Sequence, residues 1–243
     1  MGGGGTATLG PVFDSPRPAV VVALPGTGSD AHFARRAFEP ACTALGLDLI
    51  AVDPEPGAVI DGYRAALDTA AARGPVLAAG ISLGAAVAVE WASARERADV
   101  AGVIAALPAW TGPDTAHCPA TLSAAVTAAQ LRADGLEPVL ERMRGSSPRW
   151  LADALTRSWR AQWPGLPAAL EEAAQYKWPE TTVLDRLPVP VAVVAAADDP
   201  VHPVAVGREW ARRAPRSVIS EITLDELGSD PAVLGRLGLR YTR

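Results

Sequence analysis

The sequence predicts an α/β fold in which helices flank a mostly parallel sheet. Short apolar segments rich in β-branched residues recur along the 243-residue chain and alternate with longer segments of helical spacing. Several of the short segments are apolar at every position, which is typical of strands covered on both faces. The length suits one sizeable domain, and hydrophobic residues, at 49% of the chain, suffice to build its core.

The first part of the chain alternates strands and helices. Residues 19–24 read AVVVAL and end at the turn sequence Pro-Gly-Thr-Gly, so a buried strand is predicted there. Residues 80–84 form a predicted tight turn, after which an Ala-rich helix begins. Strands are predicted at 6–13, 19–24, 47–52, 75–79 and 100–107, and helices at 30–45, 57–73 and 85–93.

Residues 111–179 break this alternation, because helical segments follow one another without a convincing strand between them. These helices are predicted at 121–134, 148–163 and 167–176. Alternation then resumes with strands at 189–197 and 218–224 and helices at 204–213 and 231–237. We therefore predict a core formed by residues 1–110 and 180–243, with residues 111–179 inserted as a helical cap.

Charge and cysteine content narrow the class of protein. The formal net charge of −5 argues against nucleic-acid binding, and two cysteines give no disulfide framework. The longest uncharged runs contain Gly, Pro and Ser and fall short of the roughly 20 residues that span a bilayer. With no basic and apolar leader at the amino terminus, a cytoplasmic protein without membrane association is expected. No metal site and no cofactor are predicted, and a homodimer is left open.

One serine stands in a setting that favours nucleophilic chemistry. Residues 80–84 read Gly-Ile-Ser-Leu-Gly, between a predicted buried strand and a predicted helix. Such a junction lifts the Ser82 side chain above the sheet and directs the amide of Leu83 towards the helix start. A simple turn with a capping serine is the alternative. Because a serine hydroxyl is a weak nucleophile without a base, the chain must also supply a histidine.

Two further loops are expected at the same edge of the sheet. Residues 24–28, Leu-Pro-Gly-Thr-Gly, leave an earlier strand, and the Thr27 amide could join that of Leu83 in binding a developing oxyanion. A glycine-rich turn before a helix is the alternative. Residues 195–203, AAADDPVHP, carry Asp199, whose carboxylate could orient a histidine, while Asp198 suits a helix-capping role better.

With these motifs, the chain resembles the α/β-hydrolase fold family along nearly its whole length. The resemblance rests on PGTGS as oxyanion loop, GISLG as nucleophile elbow, the helical insertion, and DDPVHP as acid loop. It implies hydrolysis of an ester, thioester, amide or lactone through an acyl-serine, with Asp199 as the acid and the cap shaping an acyl pocket. It also implies a histidine after the last strand, but the loop at 227–231 reads LGSDP, with Ser229 at that place.

Three histidines remain as bases for the serine. His202 lies three residues after Asp199 at the expected site and is the predicted base, with a surface residue as the alternative. His32 follows the oxyanion loop and is assigned with Trp110 to the substrate pocket, where a packed or capping histidine is the alternative. His117 lies at the entrance of the insertion and could approach only if that segment folds inward.

The sequence thus predicts a serine hydrolase for a small or medium acyl substrate. Ser82 attacks, His202 relays the proton and Asp199 orients His202. Two other classes stay open. One is a binding protein that keeps the pocket but has lost its chemistry at Ser229, and the other uses the oxyanion site for a lyase or cyclase reaction.

Overall fold

Six parallel strands form one sheet in the computed structural model, which describes residues 16–241. The strands are β1 (Val20–Leu24), β2 (Leu49–Ala51), β3 (Val76–Ile81), β4 (Val100–Ala106), β5 (Val191–Ala196) and β6 (Ser217–Ile222). Their order across the sheet is β2-β1-β3-β4-β5-β6, and every neighbouring pair is parallel. The predicted parallel α/β sheet is therefore confirmed, whereas the strand predicted at 6–13 lies outside the described residues.

Burial of the strands follows their sequence patterns. Strands β3, β4 and β5 are buried at every position, and β1 is buried except at its first residue. The outer strands β2 and β6 are partly exposed, as expected at the edges of a sheet. The structure shortens β2 relative to the predicted strand at 47–52, and it extends β3 by two residues beyond the predicted end at 79.

Helices cover both faces of the sheet. Within residues 16–241 they are α1 (Ala31–Leu45), α2 (Val59–Ala71), α3 (Leu83–Ser93), α4 (Pro119–Asp134), α5 (Leu136–Ser146), α6 (Arg149–Gln162), α7 (Leu166–Gln175), α8 (Thr181–Asp185), α9 (Val204–Arg213), α10 (Leu224–Ser229) and α11 (Val233–Gly238). Helices α2, α3, α8 and α9 contribute to the apolar cluster on one face, and α1, α10 and α11 to the cluster on the other. None of these helices combines the length and apolar character needed to cross a membrane.

Helices α4–α7 lie between β4 and β5 and have an apolar cluster of their own, which includes Leu131, Leu140 and Leu166. Polar contacts also attach them to the sheet-forming part. The Glu172 carboxylate on α7 accepts hydrogen bonds from the first two amides of α2, both at 2.9 Å. A carboxylate at that position satisfies amides that have no acceptor within their own helix.

Candidate active site

The serine turn is tighter than the predicted turn at 80–84, because only Ser82 separates β3 from α3. Its backbone has φ 52° and ψ −113°, a strained conformation for a residue other than glycine. Two close approaches explain the flanking glycines. A Cβ on Gly80 would lie 2.2 Å from the Gly84 carbonyl, and one on Gly84 would lie 2.3 Å from the carbonyl oxygen of Leu24.

The loop after β5 holds Asp199 and His202 in one local arrangement. One carboxylate oxygen of Asp199 accepts from the backbone amides of Val201 at 2.8 Å and His202 at 3.2 Å. Its other oxygen lies 2.7 Å from His202 Nδ1. The aspartate therefore shapes the loop and orients the imidazole at the same time.

The imidazole also reaches the serine across the sheet edge. His202 Nε2 lies 2.9 Å from Ser82 Oγ. With the Asp199 carboxylate as acceptor, Nδ1 carries the ring proton, and Nε2 is left to accept from the Ser82 hydroxyl. The side chains of Asp199 and His202 are only 8% and 17% exposed, and Ser82 is 6% exposed. This shielding from water strengthens the electrostatic interactions among the three groups.

The environment of Asp199 keeps its carboxyl ionised. Burial raises the pKa of Asp199, but the hydrogen bond and charge of His202, together with two backbone amides, lower it more. The net pKa lies below the ordinary aspartate value. The carboxylate can therefore stabilise positive charge on the adjacent imidazole at neutral pH.

The loop that carries Thr27 lies against the serine. A Cβ on Gly26 would lie 3.3 Å from Ser82 Cβ and 3.3 Å from the Ile81 carbonyl oxygen, so the loop backbone touches the serine turn. Leu83 is the first residue of α3, where an amide has no acceptor within its own helix. The buried phenol of Tyr63 donates to the Pro25 carbonyl at 3.1 Å and holds the start of the loop.

The sequence patterns do not identify Tyr63 as a neighbour of the site. It lies 38 residues after Pro25 in the chain, in the middle of a helix, and no motif surrounds it. Burial raises the pKa of Tyr63 and nearby carboxylates raise it further, so the phenol stays protonated and remains a donor.

The prediction of a loop at 227–231 is wrong for its first three residues, which belong to α10. Thr223 and Glu226 form a capping box at the start of that helix, a signal that is readable in the sequence. Ser229 ends the helix and is exposed. Asp198 accepts from the Leu224 amide at 2.8 Å, which is the helix-capping role expected of it.

The remaining predicted site residues, His32 and Trp110, have partners other than Ser82, Asp199 and His202. His32 is exposed and lines a cavity of about 320 Å³ with Phe33, Arg36 and Trp150, which none of the three lines. Trp110 is half-buried, and its indole donates to the Asp114 carbonyl at 2.7 Å.

No hydrogen bond links Ser82, Asp199 or His202 to His32, Trp110 or the exposed His117 within residues 16–241. In the same part of the chain, no group of three or more His, Cys, Asp or Glu side chains is arranged to hold a metal ion.

Known proteins match the chain by fold and family. The family model described as the alpha/beta hydrolase family matches residues 5–233. The solved structure of Rv0554 from Mycobacterium tuberculosis has a TM-score of 0.68 and 20% identity, over 92% of this chain and 89% of that one. A thermophilic esterase from Thermogutta terrifontis, in a malate-bound structure, has a TM-score of 0.64 and 18% identity, over 86% of this chain and 82% of that one.

The enol-lactonase from Burkholderia xenovorans LB400 has a TM-score of 0.63 and 17% identity, over 86% of this chain and 85% of that one. No curated protein matches the sequence. Likeness at such identities shows a shared fold, whereas the family match extends over most of the chain. The chain belongs to the alpha/beta hydrolase family.

Proposed function

We propose that the protein is a serine hydrolase that cleaves a small or medium acyl substrate through an acyl-serine intermediate. The observation that carries the proposal is the hydrogen-bonded series from Ser82 Oγ to His202 Nε2 at 2.9 Å and from His202 Nδ1 to Asp199 at 2.7 Å. A nucleophile in contact with a base, and a base oriented by a carboxylate, is the arrangement that activates a serine.

In the proposed reaction, Ser82 Oγ attacks the acyl carbon while His202 Nε2 takes the hydroxyl proton. The Asp199 carboxylate stabilises the resulting imidazolium without taking its proton. His202 then gives the proton to the leaving group, and the acyl group stays on Ser82. A water molecule repeats the sequence on the acyl-serine, with His202 as base and Ser82 as leaving group, and releases the acid.

The amides of Thr27 and Leu83 are the proposed oxyanion donors. The Leu83 amide follows the nucleophile at a helix start, and the Thr27 loop touches Ser82 through Gly26. Donors fixed before the reaction stabilise the negative charge that develops on the carbonyl oxygen, and each typically lowers the barrier by about 3–4 kcal/mol.

The position of His202 supports hydrolysis over a binding role. The binding-protein alternative depends on the absence of a histidine at position 229, where Ser229 stands. That absence no longer argues against hydrolysis, because the imidazole of His202 contacts the proposed nucleophile. The low exposure of Ser82, at 6%, supports a small or medium acyl group that enters an enclosed site. Nothing comparable supports a lyase or cyclase reaction.

Covalent labelling tests the proposal. A fluorophosphonate probe should label the protein once, on Ser82, and Ser82→Ala should abolish both the label and the hydrolysis of p-nitrophenyl esters. Esters with acyl chains of two to eight carbons should be cleaved faster than longer ones. A parent protein that takes no label and cleaves no ester or thioester would contradict the proposal.

A further inference from the structure

The oxyanion loop, residues 25–29, is contacted by a helix that lies far along the chain. Helix α6 presents Ser158 to the Gly28 carbonyl at 2.6 Å, across a separation of 130 residues in sequence. The Gln162 side-chain amide donates to the Ser29 carbonyl at 3.0 Å and lies 3.4 Å from that of Gly28. The end of the loop is therefore held by the inserted helices.

The Ser158 hydroxyl serves this contact rather than its own helix. The side chain is buried, at 1% exposed, and its oxygen lies 3.3 Å from the Leu155 carbonyl one turn earlier. A serine within a helix ordinarily bonds back to such a carbonyl. Because the hydroxyl has one proton and the Gly28 carbonyl is much closer, that proton goes to Gly28.

Two peptide groups connect the Ser158 hydrogen bond to the Thr27 amide. The Gly28 carbonyl belongs to the same planar peptide as the Ser29 amide, which donates to the Gly26 carbonyl at 3.0 Å. The Gly26 carbonyl in turn belongs to the same peptide as the Thr27 amide. Because the two ends of a trans peptide point in opposite directions, each hydrogen bond fixes where the next amide points.

We propose that Ser158 is a positioning residue that aims the Thr27 amide at the oxyanion. The inference rests on the proposed function, since it takes Thr27 as an oxyanion donor. The series runs from the Ser158 hydroxyl through the Gly28–Ser29 and Gly26–Thr27 peptides, and it ends at the reacting oxygen. Consecutive hydrogen bonds of this kind polarise one another, so the first donor also strengthens the last.

The loop needs an external anchor because its own residues restrain it poorly. Gly26 and Gly28 have no side chains, and glycine peptides rotate more freely than others. Gly28 has φ 70°, and a Cβ there would lie 2.8 Å from the Trp159 indole nitrogen. The helix therefore packs directly on the loop backbone, where a hydroxyl can reach the Gly28 carbonyl.

The test compares Ser158→Ala with Thr121→Val in the full chain. Thr121 is a matched control, because it is also a buried hydroxyl in the inserted helices and contacts the Trp178 indole at 3.1 Å, not the loop. Ser158→Ala should lower kcat for a p-nitrophenyl ester about 10- to 100-fold, short of the 10²- to 10³-fold loss on deleting an oxyanion donor. KM should change less than about threefold, because the lost interaction acts in the transition state.

A thionoester of the same acyl group isolates the oxyanion. Sulfur accepts hydrogen bonds poorly, so the parent should prefer the oxoester, and this preference should shrink about tenfold in Ser158→Ala. Thr121→Val should leave the preference unchanged. If Ser158→Ala does not fold, Ser158→Cys keeps a side-chain donor at that position, weaker and somewhat larger than the hydroxyl, and should give the same pattern with a smaller loss.

The outcomes separate the two proposals. An active parent whose Ser158 variants match Thr121→Val in kcat and in oxoester preference overturns the positioning role. A parent that is neither labelled nor active overturns the proposed function. In that case, amide NMR shifts still decide the hydrogen-bonded series: Ser158→Ala should move the Ser29 and Thr27 amide resonances, and unmoved resonances refute it.

Discussion

Replacing His202 by alanine separates the proposed triad from an arrangement in which the serine acts alone. The imidazole is the only side chain that contacts Ser82 Oγ by a hydrogen bond within residues 16–241, so the variant leaves the nucleophile without a base. Losing such a base typically costs about 10⁴- to 10⁶-fold in kcat, or about 5–8 kcal/mol of transition-state stabilisation. Fluorophosphonate labelling should slow in parallel.

The same variant should remain folded. Asp199 would lose the imidazole but keep the amides of Val201 and of residue 202 as donors, so its buried carboxylate would not be left without partners. We expect a loss of about 1–2 kcal/mol in the free energy of unfolding, which is typical of one hydrogen bond. Circular dichroism melting checks this loss, and it distinguishes a folded, inactive variant from an unfolded one.

Matched variants define the scale of the assay. Ser82→Ala gives the rate in the absence of the nucleophile, and His117→Ala removes an exposed imidazole that has no hydrogen bond to Ser82 within the described residues. The second variant should match the parent. Turnover and labelling of His202→Ala within about tenfold of the parent would refute the reasoning, because no other histidine has a hydrogen bond to Ser82 within the described residues.

Four further predictions follow from the site and its surroundings. Ser229→His should not raise esterase activity, since residue 229 is an exposed helix end; a gain above tenfold would show that the usual position still reaches Ser82. Asp199→Asn should lower the free energy of unfolding most above about pH 4. The Asp199 pKa is lower in the native protein than in the unfolded chain, so the carboxylate stabilises the fold above the unfolded pKa, and this stability is lost as pH falls through the native pKa. Chemical denaturation should therefore show the difference between parent and variant shrinking in acid. Gly84→Ala should cost about 2–4 kcal/mol by thermal melting, because its Cβ would lie 2.3 Å from a backbone oxygen, and an unchanged Tm would contradict that contact. Cys42, whose pKa is raised to about 11 by burial and by a nearby glutamate, should react with a thiol reagent only on unfolding; fast reaction of the native protein would be inconsistent with its burial.

The sequence predicts the sheet well because its strands are locally distinctive. Continuous apolar runs identify β1, β3, β4 and β5, and the runs of β1, β3 and β5 end where the three site loops begin. Helix α5 is missed because Pro138 resembles a helix breaker, although proline is compatible with the first turn of a helix. Helix α10 is missed although the capping box of Thr223 and Glu226 indicates where it begins.

The residues of the proposed site likewise include some that the sequence identifies and one that it does not. The proposed catalytic residues Ser82, Asp199 and His202 can be selected from the sequence because each lies in a short motif at a strand end, and two of them share one loop. Ser158 is not predictable, because its partner lies 130 residues away and a lone serine in a helix carries no local signal. Contacts that depend on how an inserted segment packs on a distant loop appear only in three dimensions.

The shared loop of Asp199 and His202 changes what the rest of the fold has to do. When acid and base stand on different loops, three strand ends must keep their spacing for the three groups to meet. Here, the geometry of the proposed acid–base pair is set within four residues, and its alignment with Ser82 depends mainly on the ends of β3 and β5. In the proposed reaction, the segment after β6 supplies no catalytic side chain. It still contacts the acid loop through the hydrogen bond from the Leu224 amide to Asp198, so packing and this bond constrain it, and the geometry of proton transfer does not.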